Sequence, residues 1–343
     1  MAYTTIKKPS DYFNTKLYTG TGAENAQTGV GFQPDLTWLK RRNGVGSHRL
    51  FDVVRGATKE IFSDATNAES TDAQSLKSFD SDGFTLGTGG ATNGSGNTYA
   101  SWNWLANGAG SANTDGSISS TVSANTTSGF SVVSYTGTGS ASTVGHGLGS
   151  TPKMIILRNL SAVKNWVVYH HILGNAQALK LNTTDASASG LSNFNSTSPT
   201  SSVFTVGDSS NTNPSGQNMI AYCFAEKQGY SKFGSYTGNN NADGTFVYTG
   251  FKPAFVMTKE WEGTSDWYIN DTTRDFNGTY GNDASLLANT SGAEFTSSSL
   301  NVDMLSNGFK LRSANPSTNE VAGYIYMAFA EEPLVGDNPA TAR

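Results

Sequence analysis

The sequence has little charge, one cysteine and no long apolar run. Charged residues make up 14% of the 343 residues, against about a quarter in an average protein, and Gly, Ser, Thr and Asn take their place. The net charge of −5 and the lack of a basic stripe argue against nucleic acid as a partner. The single cysteine, Cys223, excludes an intrachain disulfide framework. Because no stretch resembles a bilayer span or a signal peptide, we expect synthesis in a cytoplasm and no membrane insertion.

Sequence motifs that carry chemistry are lacking too. The four histidines and the scattered carboxylates do not have metal-ligand spacing. Neither a nucleophile elbow nor a phosphate-binding loop is present. The sequence therefore predicts no catalytic residue, no metal and no cofactor. A glycosidase pair of carboxylates, brought together from distant positions, remains open at this stage.

One pattern occurs three times along the chain. The tripeptide Tyr-Thr-Gly lies at residues 18–20, 135–137 and 236–238, and a proline follows each after 16 or 17 positions. Each copy closes on an aromatic residue that lies 20 positions after a Phe, and these closing residues are Trp104, Phe224 and Phe329. Tandem units of about a hundred residues predict three domains of ordinary size.

The local patterns within each copy are those of strands. A run of strand formers follows each proline and ends on a basic residue (Lys40, Arg158 or Lys259), which we expect to mark where the strand emerges into water. The closing strand places large residues at every second position. Only residues 72–79 suggest a short helix, and residues 117–122 suggest an edge strand. The fold prediction is all-β, with three tandem antiparallel β-sandwich domains of jelly-roll-like form.

The predicted boundaries divide the chain into five parts. They are an N-terminal arm at 1–16, a first sandwich repeat at 17–108, a linker plus a second repeat at 109–229, a third repeat at 230–335 and a flexible tail at 336–343. We call the three large parts the first, second and third segments. Each segment is long enough to bury its own core, so a string of self-sufficient domains is expected.

Among the tryptophans, Trp261 differs from the others in its place in the repeat. It lies between Glu260 and Glu262 in a polar turn, where neither other copy has an aromatic residue. An exposed indole between two acids is a candidate contact for a sugar ring or for a pocket on a partner. The alternative is that the Trp261 ring folds back onto its own segment.

Four stretches of the sequence together resemble a known family. Residues 8–20, 47–59, 78–87 and 221–238 are similar to a tandem repeat-domain family of unknown function, found in tail-fibre-like and other virion proteins of tailed bacteriophages of marine bacteria. The resemblance extends from about residue 8 to residue 333. It implies a virion location after synthesis in the cytoplasm of the bacterial host, with other virion proteins as partners.

The resemblance leads to a functional expectation. We expect a non-enzymatic virion protein, a short tail fibre, spike or appendage for particle assembly and host attachment, with its domains strung in line. A capsid decoration protein and a carbohydrate-binding receptor module, with or without glycan-degrading activity, are the alternatives. Symmetry among virion appendages suggests a homo-oligomer, with a trimer as the expected form. The arm is expected to dock to the particle through Lys7, Lys8, Tyr12 and Phe13, and a host surface glycan is a candidate ligand.

Overall fold

The computed structural model describes residues 4–274, 283–297, 300–336 and 339–340 of the chain. Strands dominate these residues, and each of the three α-helices is only four residues long. The strands of the main sheets pair antiparallel, so the predicted all-β class is confirmed. None of the described helices has the length and apolarity that crossing a bilayer requires.

The first segment, together with the end of the arm, forms one large and one small sheet. Its elements are a 3-10 helix Pro9–Asp11, β1 Phe13–Thr19, β2 Asn25–Thr28, β3 Leu36–Arg41, β4 Arg49–Asp52, β5 Lys59–Phe62, β6 Ser70–Thr71, β7 Leu76–Asp80, β8 Gly83–Leu86, α1 Gly90–Asn93 and β9 Thr98–Trp104. The large sheet has the order β1-β9-β3-β4-β5-β6 and the small sheet the order β2-β8-β7. The helix predicted at residues 72–79 is wrong, since β7 lies there and pairs with β8.

The second segment adds two strands before the unit that corresponds to the first. Its elements are β10 Ser111–Asn113, β11 Ser120–Asn125, β12 Phe130–Thr136, β13 Ser142–Gly145, β14 Met154–Asn159, β15 Val167–His170, β16 Gln177–Ala178, β17 Ala188–Ser189, α2 Leu191–Phe194, β18 Val203–Val206 and β19 Asn218–Phe224. The large sheet has the order β10-β11-β12-β19-β14-β15, and β13-β18 and β16-β17 form two small sheets. The predicted linker therefore contains paired strands.

The third segment has the strand order of the first. Its elements are β20 Ser231–Thr237, β21 Phe246–Tyr248, β22 Phe251–Glu260, β23 Tyr268–Asp271, β24 Ala284–Leu287, β25 Phe295–Thr296, β26 Val302–Leu305, β27 Gly308–Leu311, α3 Pro316–Asn319 and β28 Gly323–Pro333. The large sheet has the order β20-β28-β22-β23-β24-β25 and the small sheet the order β21-β27-β26. The predicted flexible tail, 336–343, lies mostly outside the described residues.

The large sheets are apolar on both faces because each face packs on a different core. On β19, Ile220, Tyr222 and Phe224 belong to one cluster, while the alternating Met219 and Ala221 belong to another. The second kind of cluster is private, since it draws on one segment only and lies between that segment's large and small sheets. The first kind is shared, since it contains side chains from all three segments.

Aromatic rings from the three segments meet in the shared core. Trp104 of the first segment lies 6.3 Å from Phe224 of the second and 5.7 Å from Phe329 of the third, measured between ring centroids. Large rings supply much apolar area per residue, so this cluster binds the three large sheets to one another. The expectation of three self-sufficient cores is therefore corrected: every segment leaves one face of its large sheet for the other two to cover. The segment boundaries themselves stay a prediction.

The Tyr-Thr-Gly tripeptide forms the same turn contact in each segment. The phenol groups of Tyr18, Tyr135 and Tyr236 donate to the carbonyls of Thr92, Thr212 and Thr318, at 2.6, 2.5 and 2.8 Å. The glycine two residues later lies against the backbone, since a Cβ on Gly20 would be 2.3 Å from the Gly94 carbonyl oxygen. The tripeptide is thus a structural motif.

Candidate functional site

The structure places Trp261 and Glu262 against one glycine, Gly323, while Glu260 lies opposite the next residue, Tyr324. The Trp261 ring covers Gly323 so closely that a Cβ there would be 2.2 Å from its Cζ2 atom. The Trp261 backbone N–H donates to the Gly323 carbonyl at 3.1 Å, and a Glu262 carboxylate oxygen accepts from the Gly323 backbone N–H at 2.8 Å. Glu260 is 7% exposed. The indole is half-buried against the shared core, as the fold-back alternative expected.

The predicted docking arm is part of the folded body. Phe13 is the first residue of β1, is 2% exposed and stacks on Phe329 with ring centroids 5.0 Å apart. Tyr12 is half-buried and meets Tyr230 edge to face at 6.0 Å. The expectation that these two residues are free apolar anchors is corrected, because strand pairing and the shared core already occupy them.

The two lysines of the arm remain on the surface. Lys7 is exposed, and Lys8 forms an ion pair with Asp11 at 2.6 Å. Such exposed pairs contribute little stability. Residues 1–3 of the arm lie outside the described residues. Docking of the arm through its lysines therefore stays a prediction, whereas docking through Phe13 does not fit the fold.

The basic residues at the strand ends are buried, which corrects the expectation that they emerge into water. Lys40 and Arg158 are 0% exposed and Lys259 is 1% exposed. Each reaches a backbone carbonyl of a neighbouring segment: the Lys40 ammonium donates to Ser291 at 3.1 Å, the Lys259 ammonium to Thr184 at 3.2 Å, and the Arg158 guanidinium to Asn67. The strand ends therefore lie at the junctions between segments.

Two buried ion pairs occupy matching positions in the first and third segments. Arg55 contacts Asp52 and Arg274 contacts Asp271, both at 2.5 Å. Burial alone would lower the pKa of each arginine, but the neighbouring carboxylate raises it above the ordinary value. A guanidinium that stays protonated cannot act as an acid or base, so these pairs hold structure.

Each ion pair is closed by an aromatic donor from another segment. The Tyr222 hydroxyl donates to Asp52 at 2.8 Å, and the Trp102 indole donates to Asp271 at 2.9 Å. In the second segment His170 takes the corresponding place opposite Met154, and burial beside His171 lowers the pKa of His170 to about 3. The polar groups at these junctions thus find partners between segments.

The strand β21 presents a surface that the sequence analysis missed. Val247 points into the private core, while Phe246 and Tyr248 on the other face are 42% and 50% exposed. The Lys232 ammonium lies 5.7 Å from the centre of the Tyr248 ring. The available signal was the pair of aromatic residues on either side of Val247, since the corresponding strands β2 and β13 have no aromatic residue.

The described part of the chain contains no group of three or more His, Cys, Asp or Glu side chains placed to hold a metal ion. The arrangement that stands out is instead a set of packed sheets with an exposed aromatic edge. The chain is thus an all-β protein built of several antiparallel sheets.

The chain belongs to the family described as "Domain of unknown function (DUF7483)", whose model matches residues 8–333. This match confirms the prediction that one family of unknown function covers nearly the whole chain. A search of curated proteins and a search of solved structures each found no match.

Proposed function

We propose that this protein is a non-enzymatic structural component of a bacteriophage virion. The observation that carries the proposal is the use of the recurring side chains for internal contacts. The Tyr-Thr-Gly turns, the buried strand-end bases and the aromatic cluster all join parts of one body. A body held together by contacts within its segments and between them suits a structural role, and the resemblance to virion domains agrees with it.

Among virion forms, we favour a compact appendage or decoration over a fibre of domains in line. Sheets that share one core cannot separate along an axis without exposing Trp104, Phe224 and Phe329 to water.

We also propose that the three segments are sandwich repeats of one ancestral unit. Because the sheets of one chain already cover each other, further copies of a homo-oligomer, such as the expected trimer, would associate through outer surfaces.

The virion proposal is tested on particles of a phage that encodes this chain. Purified particles are analysed by quantitative mass spectrometry and labelled with gold-conjugated antibody for electron microscopy. We expect a fixed copy number per particle and label confined to the tail or to the capsid, which also separates an appendage from a decoration protein. Protein found only in the host lysate, and absent from particles, contradicts the proposal.

Glycan recognition stays a second prediction, centred on Trp261. The half-buried position of its ring against Gly323 gives it less free surface than the sequence suggested. A glycan array probed with the wild type and with Trp261→Ala tests this prediction, and binding that the substitution abolishes would support it. Release of reducing ends from host polysaccharide would contradict the non-enzymatic proposal.

A further inference from the structure

We propose that the open edge of β21 binds an extended peptide segment of a partner protein as an added strand. The inference stands apart from the virion proposal, because it rests on the geometry of this edge alone. Its starting point is that the chain itself covers the corresponding edge in its second segment.

The covering piece is residues 111–125, which we call the strap. Its strands β10 and β11 extend the large sheet at β12. Between them, the Ile118 N–H donates to the Thr143 carbonyl at 2.9 Å, and the Thr143 N–H donates to the Ser117 hydroxyl at 2.9 Å. Ile118 and Val144 form a parallel bridge. The strap thus adds to β13 and closes the open side of the second segment.

Ile118 anchors the strap through its side chain. It is 6% exposed and belongs to the private core of the second segment. The Ser120 hydroxyl donates to the Gly145 carbonyl at 3.1 Å. One aliphatic side chain and the neighbouring serine hydroxyls thus make the contacts of the strap with β13, while the pairing of β11 with β12 holds the rest of the strap.

The third segment has the same edge but no strap. Val247 lies opposite Phe309 on β27, as Val144 lies opposite Phe204 on β18, so β21 corresponds to β13. The connection that leads into the third segment, residues 225–230, is too short to supply a strap. Among the described strands, β21 pairs with β27 alone.

The backbone of β21 has groups directed at this open side. The Thr245 carbonyl accepts from the Leu311 N–H of β27 at 3.1 Å, and the Thr249 N–H donates to the carbonyl of Asn307, just before β27, at 3.0 Å. In an antiparallel pair, the residues that bond to the partner alternate with residues whose N–H and C=O point away from it. Phe246 and Tyr248 are those alternate residues, so their peptide groups face the open edge.

The side chains on β21 also favour a partner. Natural edge strands are usually protected by charge, proline or a bulge, whereas this one carries two exposed aromatic rings. Added strands gain affinity from main-chain hydrogen bonds and specificity from alternate side chains. The Lys232 ammonium beside Tyr248 favours a carboxylate on the incoming strand. The expected ligand is an extended segment of small hydroxyl residues with one aliphatic and one acidic side chain.

A peptide with the sequence of residues 111–125 contains these features, with Asp115, Ile118 and many hydroxyl residues, together with a second aliphatic residue, Val122, and serves as the probe. Its fluorescein conjugate is titrated with the full chain and followed by anisotropy. We expect saturable binding to one site, at least tenfold weaker binding to Phe246→Pro, and similar weakening for the double variant Phe246→Ala with Tyr248→Ala. Proline at residue 246 removes an N–H that faces the open edge and leaves the bonds to β27 intact.

The matched control is Ala26→Pro, which makes the same change at the corresponding position of β2, opposite Thr85. It should leave peptide binding unchanged. Circular dichroism and melting temperature establish that each variant is folded. Hydrogen exchange with bound peptide should show new protection at residues 246–248.

Four outcomes would overturn the proposal. They are an absence of saturable binding to the folded wild type, binding that all β21 variants retain, and a loss of protection within residues 111–125 that shows that the peptide has displaced the strap from β13. The fourth is that another class of partner occupies the edge. Dimerisation of the chain that Phe246→Pro abolishes would show this, and so would glycan binding that Tyr248→Ala abolishes in a protein that does not bind the peptide.

Discussion

Single buried polar side chains organise the turns that the repeated motifs mark. Asn213 is 0% exposed, donates to the carbonyls of Ser140 and Gly207 at 2.6 and 2.7 Å, and accepts from the Thr138 N–H at 2.8 Å. Asn93 and Asn319 make the corresponding bonds in the other segments. One amide therefore satisfies three backbone groups that would otherwise lose water without compensation.

Replacing such an amide should cost much more than its size suggests. Asn213→Ala leaves buried backbone groups without partners, so we expect the free energy of unfolding to fall by about 2–4 kcal/mol. Asn175→Ala, which removes a single exposed bond to Ser198, should change it by less than about 0.5 kcal/mol. Chemical denaturation measures both. Equal effects of the two substitutions would show that the buried amide does not organise the turn.

The buried strand-end lysines make stability depend on pH in an alkaline range. Burial lowers the pKa of Lys40 and of Lys259 to about 8, from the ordinary 10.5 that applies in the unfolded chain. Between these values the unfolded chain binds the proton and the folded chain does not, so stability rises with pH. The charged form is therefore a cost to the fold at neutral pH.

We expect this dependence to disappear when the lysine is removed. Relative to Lys40→Met, the wild type should gain unfolding free energy as the pH rises from about 7 to about 9.5. Denaturation at the two pH values measures the difference, and Lys259→Met should behave in the same way. A difference that stays constant, or that shrinks with pH, would mean that Lys40 keeps an ordinary pKa in the folded protein.

Strands that correspond in the three segments differ in what covers their edges. The strap bonds to Thr143 on β13, while β21 has β27 as its one partner among the described strands. Backbone amides that are bonded and covered exchange their hydrogens through local opening, which costs free energy. Corresponding elements therefore need not be equally protected.

Hydrogen exchange followed by mass spectrometry should show this difference directly. Peptides that include residues 142–145 should exchange more slowly than peptides that include residues 246–248. Ser117→Ala removes the acceptor of the Thr143 N–H and should speed exchange at 142–145 without changing it at 246–248. Similar rates at both strands in the wild type would rule out the strap as a cover.

The shared core makes the molecule one cooperative unit. Trp104 is 1% exposed and has aromatic neighbours in the arm and in the second and third segments, among them Phe13, Phe224 and Phe329. A segment excised from the chain would expose its side of this cluster, and a half-covered sheet is not expected to fold alone. Unfolding of one segment should therefore carry the other two with it.

Calorimetry should record a single transition for the whole chain. Trp104→Ala should lower the free energy of unfolding by about 3–5 kcal/mol, since it opens a cavity where the segments meet. Trp104→Phe should cost less, because it keeps a ring and removes an indole N–H that has no hydrogen-bond partner. Separate transitions for the three segments, or a stable fragment 17–108, would contradict a shared core.

The sequence was sufficient for the local features. Period-two alternation identified the closing strands β9, β19 and β28, and the strand-former runs identified β3, β14 and β22. Trp166 and Trp267, which hold the same position in the second and third copies and so indicate a structural role, are 0% and 1% exposed. These features follow from short-range stereochemistry, which each stretch of sequence carries by itself. The surface at β21 escaped notice because exposure of Phe246 depends on which strand lies beside it.

What the sequence by itself determined is the all-β class and, in each copy, the strand that follows the proline and the closing strand. The tertiary structure alone decided what covers each face, and with it the burial of Lys40 and Phe13 and the open edge of β21. The physical reason is that alternation shows which side chains share a face of a strand, whereas the material packed on that face comes from residues far away along the chain.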